Sequence, residues 1–217
     1  MDSLRGATFS RRELLRGGTL VATGIVAGPA LAQINVGIPG LGRPTATAMP
    51  ATPMTIRPDL FRRALAALQR HGDRIALVDF DLPSSQPRFH IVDLASGQSR
   101  SLLVAHGRGS DPGHTGWLTR FSNEVGSAAS SEGTYVTGNI YVGQHGRSRR
   151  LYGLDNTNSN VEPRAIVVHS AWYVGRDMIS QHGKLGRSEG CFALSAADLE
   201  DTLATLGEGR MIYADKV

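Results

Sequence analysis

Apolar positions are spaced in three ways along this chain, and each spacing predicts a different element. From Leu60 to Leu68 the spacing is helical, with Leu60, Phe61, Ala64, Leu65 and Leu68 on one face and Arg62 and Arg63 opposite. This predicts a helix over Leu60–Arg70, capped by Asp59 and ended by His71-Gly72. From Ile75 onward the apolar runs are short and separated by Gly, Pro, Ser and Asn. They predict strands at Ile75–Phe80, Phe89–Leu94, Leu102–Ala105, Tyr135–Thr137, Ile140–Val142, Leu151–Leu154 and Ala165–Val168. A closing helix over Ala196–Leu206 with Ser195 as cap and a last strand at Met211–Tyr213 complete the series. Many short strands with turns between them predict a mainly β fold, an antiparallel sandwich or barrel with helices at its margins.

The third spacing is the near-continuous apolar stretch from Thr19 to Ala32. It follows the twin arginine Arg11-Arg12 and closes on Ala30-Leu31-Ala32, a small-x-small pattern. This is the layout of a cleavable export signal, and its glycines and weak hydrophobicity suit the twin-arginine type. The 16 residues from Gly17 to Ala32 fall short of the roughly 20 apolar residues a membrane-spanning helix needs, so no stable span is expected after cleavage. Residues 33–57 are rich in Pro, Thr and Ala without apolar period and read as a linker. The expected organisation is a signal over 1–32, a linker over 33–57 and one domain over 58–217, periplasmic or otherwise exported.

Charge narrows the function by exclusion. The 23 basic and 19 acidic residues fall to 19 and 17 once the leader's four arginines and two acids are removed. A near-neutral domain without basic runs and interleaved aromatics gives no case for nucleic acid. His106, His114, His145 and His182 lack the close spacing of a zinc site, so neither metal nor cofactor is expected. Asp111 and Glu124 are expected at turns or on the surface, and Trp172 is a candidate groove residue.

Cys191 is the only cysteine, and an exported protein with one thiol has no internal disulfide partner for it. It sits in Gly186-Arg187-Ser188-Glu189-Gly190-Cys191-Phe192-Ala193-Leu194, downstream of an apolar run that ends in His169-Ser170. A thiol within reach of an imidazole is the minimal machinery of cysteine acyl transfer. In that chemistry His169 takes the thiol proton and returns one to the leaving amine, and Ser170 orients the imidazole through its carbonyl or hydroxyl. Gly190 permits a sharp turn that aims its own N–H and that of Cys191 at an oxyanion.

The same residues resemble the active-site signature of the YkuD-type L,D-transpeptidases, which reads His-Gly or His-Ser and then, after a loop, Ser/Thr-His-Gly-Cys. Ala105-His106-Gly107-Arg108-Gly109-Ser110, Phe121-Ser122-Asn123 and Gly138 through Gly146 resemble a divergent branch of that superfamily, the murein L,D-transpeptidase catalytic domain family. Glu189 stands where the commoner pattern has histidine, and Ala193 where many members carry arginine. The resemblance implies a cysteine acyltransferase that acts on peptidoglycan stem peptides. It would form 3–3 cross-links through a Cys191 thioester, or act as an L,D-carboxypeptidase with water as acceptor, and it would be open to carbapenem-type inhibitors. Ser188, Arg187, Tyr141 and Lys184 are the candidate substrate-binding residues, with Arg187, Lys184 and Arg176 as replacements for the missing arginine. The alternatives are a catalytically decayed wall-binding module and a cysteine amidase or peptidase acting on another wall bond.

Overall fold

The computed structural model describes residue 53, residues 55–68 and residues 72–217. The expected signal, most of the linker and the helix end at His71 lie outside the described residues. The elements in chain order are helix α1 (Pro58–Ala67), strands β1 (Arg74–Asp79), β2 (Phe89–Asp93) and β3 (Ser99–Leu102), then β4 (Gly133–Gly143), β5 (Gly146–Gly153) and β6 (Val167–Ser170). Helix α2 (Arg176–His182), strand β7 (Phe192–Leu194), helix α3 (Ala196–Thr205) and strand β8 (Met211–Asp215) follow. Among the described residues no helix is long and apolar enough to cross a membrane.

The strands form one sheet in the order β3-β2-β1-β8-β4-β5-β6-β7. Pairing is antiparallel except for β1 with β8 and β6 with β7, which are parallel. The mainly β expectation is therefore met, with two parallel pairs that the strand count alone does not reveal. The sheet curls until its two ends meet. Phe192 on β7 lies 6.5 Å from Phe89 on β2, 6.2 Å from Phe80 and 5.2 Å from Tyr135, centroid to centroid. Beyond β3 the chain bridges the far edge strand, where the Ala105 N–H donates to Ala193 O at 3.0 Å. One apolar core thus receives side chains from every strand of the sheet.

Period-two alternation decides which core each residue enters. On β1, Ala76 and Val78 face the main core, while Ile75 and Leu77 join Val92 and Met211 beneath α1. Helix α1 lays Leu60, Phe61 and Ala64 on that second face, as its apolar stripe requires. Asp59 is not its cap: Pro58 already occupies the first turn, and Arg57 stands at the N-cap position without a side-chain bond. Ile56 and Arg57, assigned to the linker by composition, belong to the folded unit. Ile56 is buried under α1, and Arg57 pairs with Asp79 at 3.1 Å and Asp81 at 2.6 Å.

Other boundaries move for local reasons. The two runs Tyr135–Thr137 and Ile140–Val142 are a single strand whose register shifts at a bulge between Thr137 and Ile140. The third strand lies at Ser99–Leu102 rather than Leu102–Ala105, because Val104 and His106 turn instead toward the Arg88 guanidinium. Helix α2 buries no side chain, so no apolar periodicity marks it in the sequence. Helix α3 begins as expected, with Ser195 Oγ accepting from the Asp198 N–H at 3.1 Å.

Phe192 joins the two ends of the sheet and has no exposed surface. Phe192→Ala should cost about 3–5 kcal/mol in chemical denaturation, with little change in the dependence on denaturant concentration. A loss below about 1 kcal/mol would show that the curled sheet does not depend on this contact.

Candidate active site

Strands β6 and β7 run side by side in parallel, with Val168 beside Phe192, His169 beside Ala193 and Ser170 beside Leu194. Val168, Phe192 and Leu194 point into the main core. The opposite face therefore carries His169, Ala193 and, one step before the strand, Cys191. Two residues 22 positions apart become diagonal neighbours through one parallel pairing.

The loop ahead of Cys191 is held by backbone bonds. The Ser188 N–H donates to His106 O at 2.9 Å and the Arg108 N–H to Ser188 O at 2.7 Å, so the loop runs as a short third track beside residues 106–108. Ser188 Oγ donates to Cys191 O at 2.7 Å and accepts from the Gly190 N–H at 3.2 Å. Gly190 has φ +119, and a Cβ there would meet Ala129 O at 2.7 Å. Arg88, without exposed surface, supports this floor by donating to Val104 O at 3.1 and 2.9 Å, to Leu82 O at 2.8 Å and to His106 Nδ1 at 2.8 Å.

His169 and Cys191 line a cavity of about 520 Å³ together with Gln144, His145, Arg164 and Tyr173. His169 Nδ1 lies 2.8 Å from Ser170 O. A carbonyl only accepts, so the proton is on Nδ1 and the neutral ring keeps its lone pair on Nε2. Burial holds His169 below the usual histidine range; the Ser170 carbonyl opposes this and His145 adds to it. His145 stacks on the ring at 4.2 Å and 21° from the tip of the β4–β5 hairpin.

Cys191 is 8% exposed. Burial pushes its thiol up, against the Val167 N–H and the Arg164 guanidinium, which pull it down. The sulfur donates to Ala165 O at 3.6 Å. Ala165 aims that carbonyl from a left-handed conformation, φ +52, which costs a non-glycine residue on the order of 1 kcal/mol. Arg164 is pinned by Ser122 O at 2.7 Å, Ser131 Oγ at 2.6 Å and Ala129 O.

The candidate residues separate clearly. Cys191, His169, Ser188, Arg187 and Glu189 line the cavity, whereas Ser170 lies beneath His169 and contributes its carbonyl. The Gly190 N–H is already given to Ser188 Oγ, which leaves that of Cys191 as the free donor of the expected pair. Tyr141 and Lys184 do not line the cavity; Tyr141 lies under the Arg150 guanidinium at 4.4 Å. Arg176, at the start of α2, does not line it either. Asp111 is buried rather than exposed, accepting from the Thr115 and Gly116 N–H groups at 2.8 Å each. Trp172 is 86% exposed, and its neighbour Tyr173 is the aromatic residue that reaches the cavity. Sequence spacing missed Arg164, His145 and Tyr173. His145 had a faint signal, a polar turn between strand-like runs, whereas Arg164 had none.

The family model described as L,D-transpeptidase catalytic domain (YkuD_2) matches residues 55–214. This chain belongs to that L,D-transpeptidase family. No curated protein matches it. Solved structures similar to it include an L,D-transpeptidase from Mycobacterium smegmatis, at 13% identity over 66% of this chain and 58% of that one, TM-score 0.40. Another is the helical cell shape determining protein Pgp2 from Campylobacter jejuni, at 14% over 66% and 47%, TM-score 0.42. A third is an L,D-transpeptidase from Stackebrandtia nassauensis, at 13% over 69% and 58%, TM-score 0.40. The chain spans less than two thirds of the length of each.

In this L,D-transpeptidase domain the two departures from the commoner signature have physical readings. Ala193 has no exposed surface and packs with Ala105, Val174 and Leu185, a site that cannot hold a solvated guanidinium. Glu189 is exposed and paired with Arg108 at 3.1 Å. Burial favours the neutral forms of both Cys191 and His169. Alkylation of Cys191 by iodoacetamide, followed by intact mass, should therefore rise with pH to a midpoint above the ordinary cysteine value. Arg164→Gln should move that midpoint higher still. A midpoint below the ordinary value would show a resting thiolate–imidazolium pair instead.

Proposed function

We propose that this protein is an exported, cysteine-dependent L,D-transpeptidase that acts on peptidoglycan stem peptides. The observation that carries the reading is the pairing in one cavity of Cys191 with a buried His169 whose Nε2 lone pair is free, within a domain of this family. His169 Nε2 removes the thiol proton as Sγ attacks the carbonyl between the third residue of a tetrapeptide stem and its terminal D-alanine. The tetrahedral oxyanion is met by the Cys191 N–H, with Arg164 supplying positive charge nearby. Collapse breaks the C–N bond, the departing D-alanine amine takes the proton from His169, and a thioester remains on Cys191.

An amine of a second stem then attacks the thioester while His169 accepts its proton, which restores the thiol and gives a 3–3 cross-link. Water in place of the amine makes the same site an L,D-carboxypeptidase. The twin arginine Arg11-Arg12 and the apolar stretch after it support export, and such a substrate lies outside the cytoplasm. A carbapenem, whose strained ring presents an activated carbonyl, is expected to acylate the same sulfur.

Purified protein incubated with tetrapeptide muropeptides should release D-alanine and yield 3–3 dimers or tripeptides, and Cys191→Ala should yield neither. Intact mass should rise by one carbapenem per chain in wild type and not in Cys191→Ala. His169→Gln should slow acylation by about 10²–10⁴-fold. Binding of muropeptides without D-alanine release or adduct formation would replace this reading with that of a non-catalytic wall-binding module.

A further inference from the structure

A second, shallower cavity of about 360 Å³ adjoins the catalytic one, and the two share Arg187. Its wall carries three guanidinium groups, Arg108, Arg120 and Arg187, set among Gly109, Gly126 and Ser127. Among the described residues, no carboxylate lines it. Each arginine is anchored by one part of its fork. Arg120 Nε donates to Gly109 O at 2.9 Å, and Arg187 Nη1 donates to Asp111 O and, at 3.3 Å, to Pro112 O. Arg108 gives Nε and Nη2 to a single oxygen of Glu189, at 3.2 and 3.1 Å. Anchoring of this kind orients the remaining N–H groups without consuming them.

Three like charges gathered on one wall repel one another unless an anion answers them. Glu189 is the carboxylate paired with Arg108, and it belongs to the mouth of the catalytic cavity. Its pair with Arg108 is largely solvent-exposed and contributes little, so a better-placed carboxylate can displace it. The wall is also built on the segments that hold the nucleophile, since Arg108 and Arg187 flank the track that pairs residues 106–108 with Ser188. Its distance from Cys191 is therefore fixed by backbone bonds.

We propose that Arg108, Arg120 and Arg187 form an anion subsite that takes a carboxylate of the peptide whose scissile carbonyl lies at Cys191, with Glu189 as the group it displaces. The inference rests on the stem-peptide reading above and assigns the carboxylate recognition that Ala193 cannot provide. Two or three charge-assisted bonds to planar guanidinium forks discriminate a carboxylate from a carboxamide, which offers one acceptor and no charge. The subsite therefore selects the acid form of the substrate and weakens as salt is added.

The test compares a tetrapeptide stem bearing free carboxylates with the same peptide carrying carboxamides, using the full chain and its Arg120→Gln and Arg120→Lys variants. Arg120 lies outside the catalytic cavity, so kcat should stay within about twofold. KM for the acid peptide should rise about tenfold in Arg120→Gln and less in Arg120→Lys. Wild type should show a similar rise on the carboxamide, to which Arg120→Gln adds nothing. A KM for the acid peptide unchanged in Arg120→Gln, or raised equally for both peptides, would overturn the subsite. If wild type turns over neither peptide, the transpeptidase reading fails, and the subsite is judged by calorimetric binding of the two peptides to Cys191→Ser. About tenfold tighter binding of the acid, lost in Arg120→Gln, then supports it, and equal binding overturns it.

Discussion

The Arg88 guanidinium carries the floor of the candidate site. It has no exposed surface, and such a charge is tolerated in a core only where its donors find acceptors. Val104 O, Leu82 O and His106 Nδ1 accept four of its five N–H groups, so each of its three nitrogens has a partner, with Asp79 and Asp111 as compensating carboxylates. The demand for acceptors pulls residues 104–106 away from β2 and inward. It also makes His106 Nδ1 an acceptor, so that its proton lies on Nε2 toward Asp111. Residues 106–108 are left with an unused backbone edge, and Ser188 pairs with that edge. The position of Cys191 follows from a buried charge two steps away.

The parallel β6–β7 pair then brings the two candidate residues to one face. Because alternate residues of a strand face opposite ways, the same two strands that close the core with Val168, Phe192 and Leu194 must present His169 and Cys191 on the other side. Ala193 is the cost of this arrangement. It lies on the same face as His169 and Cys191 but under Ala105 and Leu185, where the closing of the sheet leaves room for only a small side chain. Positive charge must then come from elsewhere, and Arg164 beside the sulfur supplies it from the turn that precedes β6.

Much of this was legible in the sequence, and the remainder fails for identifiable reasons. Helices α1 and α3 and strands β1 and β2 announce themselves because burial imposes a period on their residues. Cys191 and His169 stand out because their residue types are chemically marked and their neighbours are small or apolar. Tyr141 was a reasonable groove residue by type, yet it sits under Arg150 on a face the strand run does not disclose. Arg164, His145 and Tyr173 reach the cavity from a turn, a hairpin tip and a loop, positions fixed by strand register and not by anything adjacent to them in sequence. Asp111 reads as a turn acid, which it is, but it is buried beside His106, whose own position depends on Arg88 from a distant segment.

One desolvated environment sets the protonation of both groups of the candidate pair. It pushes the Cys191 thiol up and holds the His169 imidazole down, so the resting pair is uncharged. In the proposed mechanism, proton transfer from sulfur to Nε2 creates two opposite charges whose mutual attraction is stronger at a partly desolvated site than in bulk water. The ion pair is favoured only while thiolate and imidazolium are close, and Arg164 and the backbone N–H groups at the sulfur bias the transfer toward it. A neutral resting thiol is also less open to oxidation than a thiolate, since susceptibility follows thiolate character and exposure. For the exported cysteine enzyme proposed above, burial thus serves two ends. It defers the reactive charge until a carbonyl is present, and it protects the sulfur in the interval.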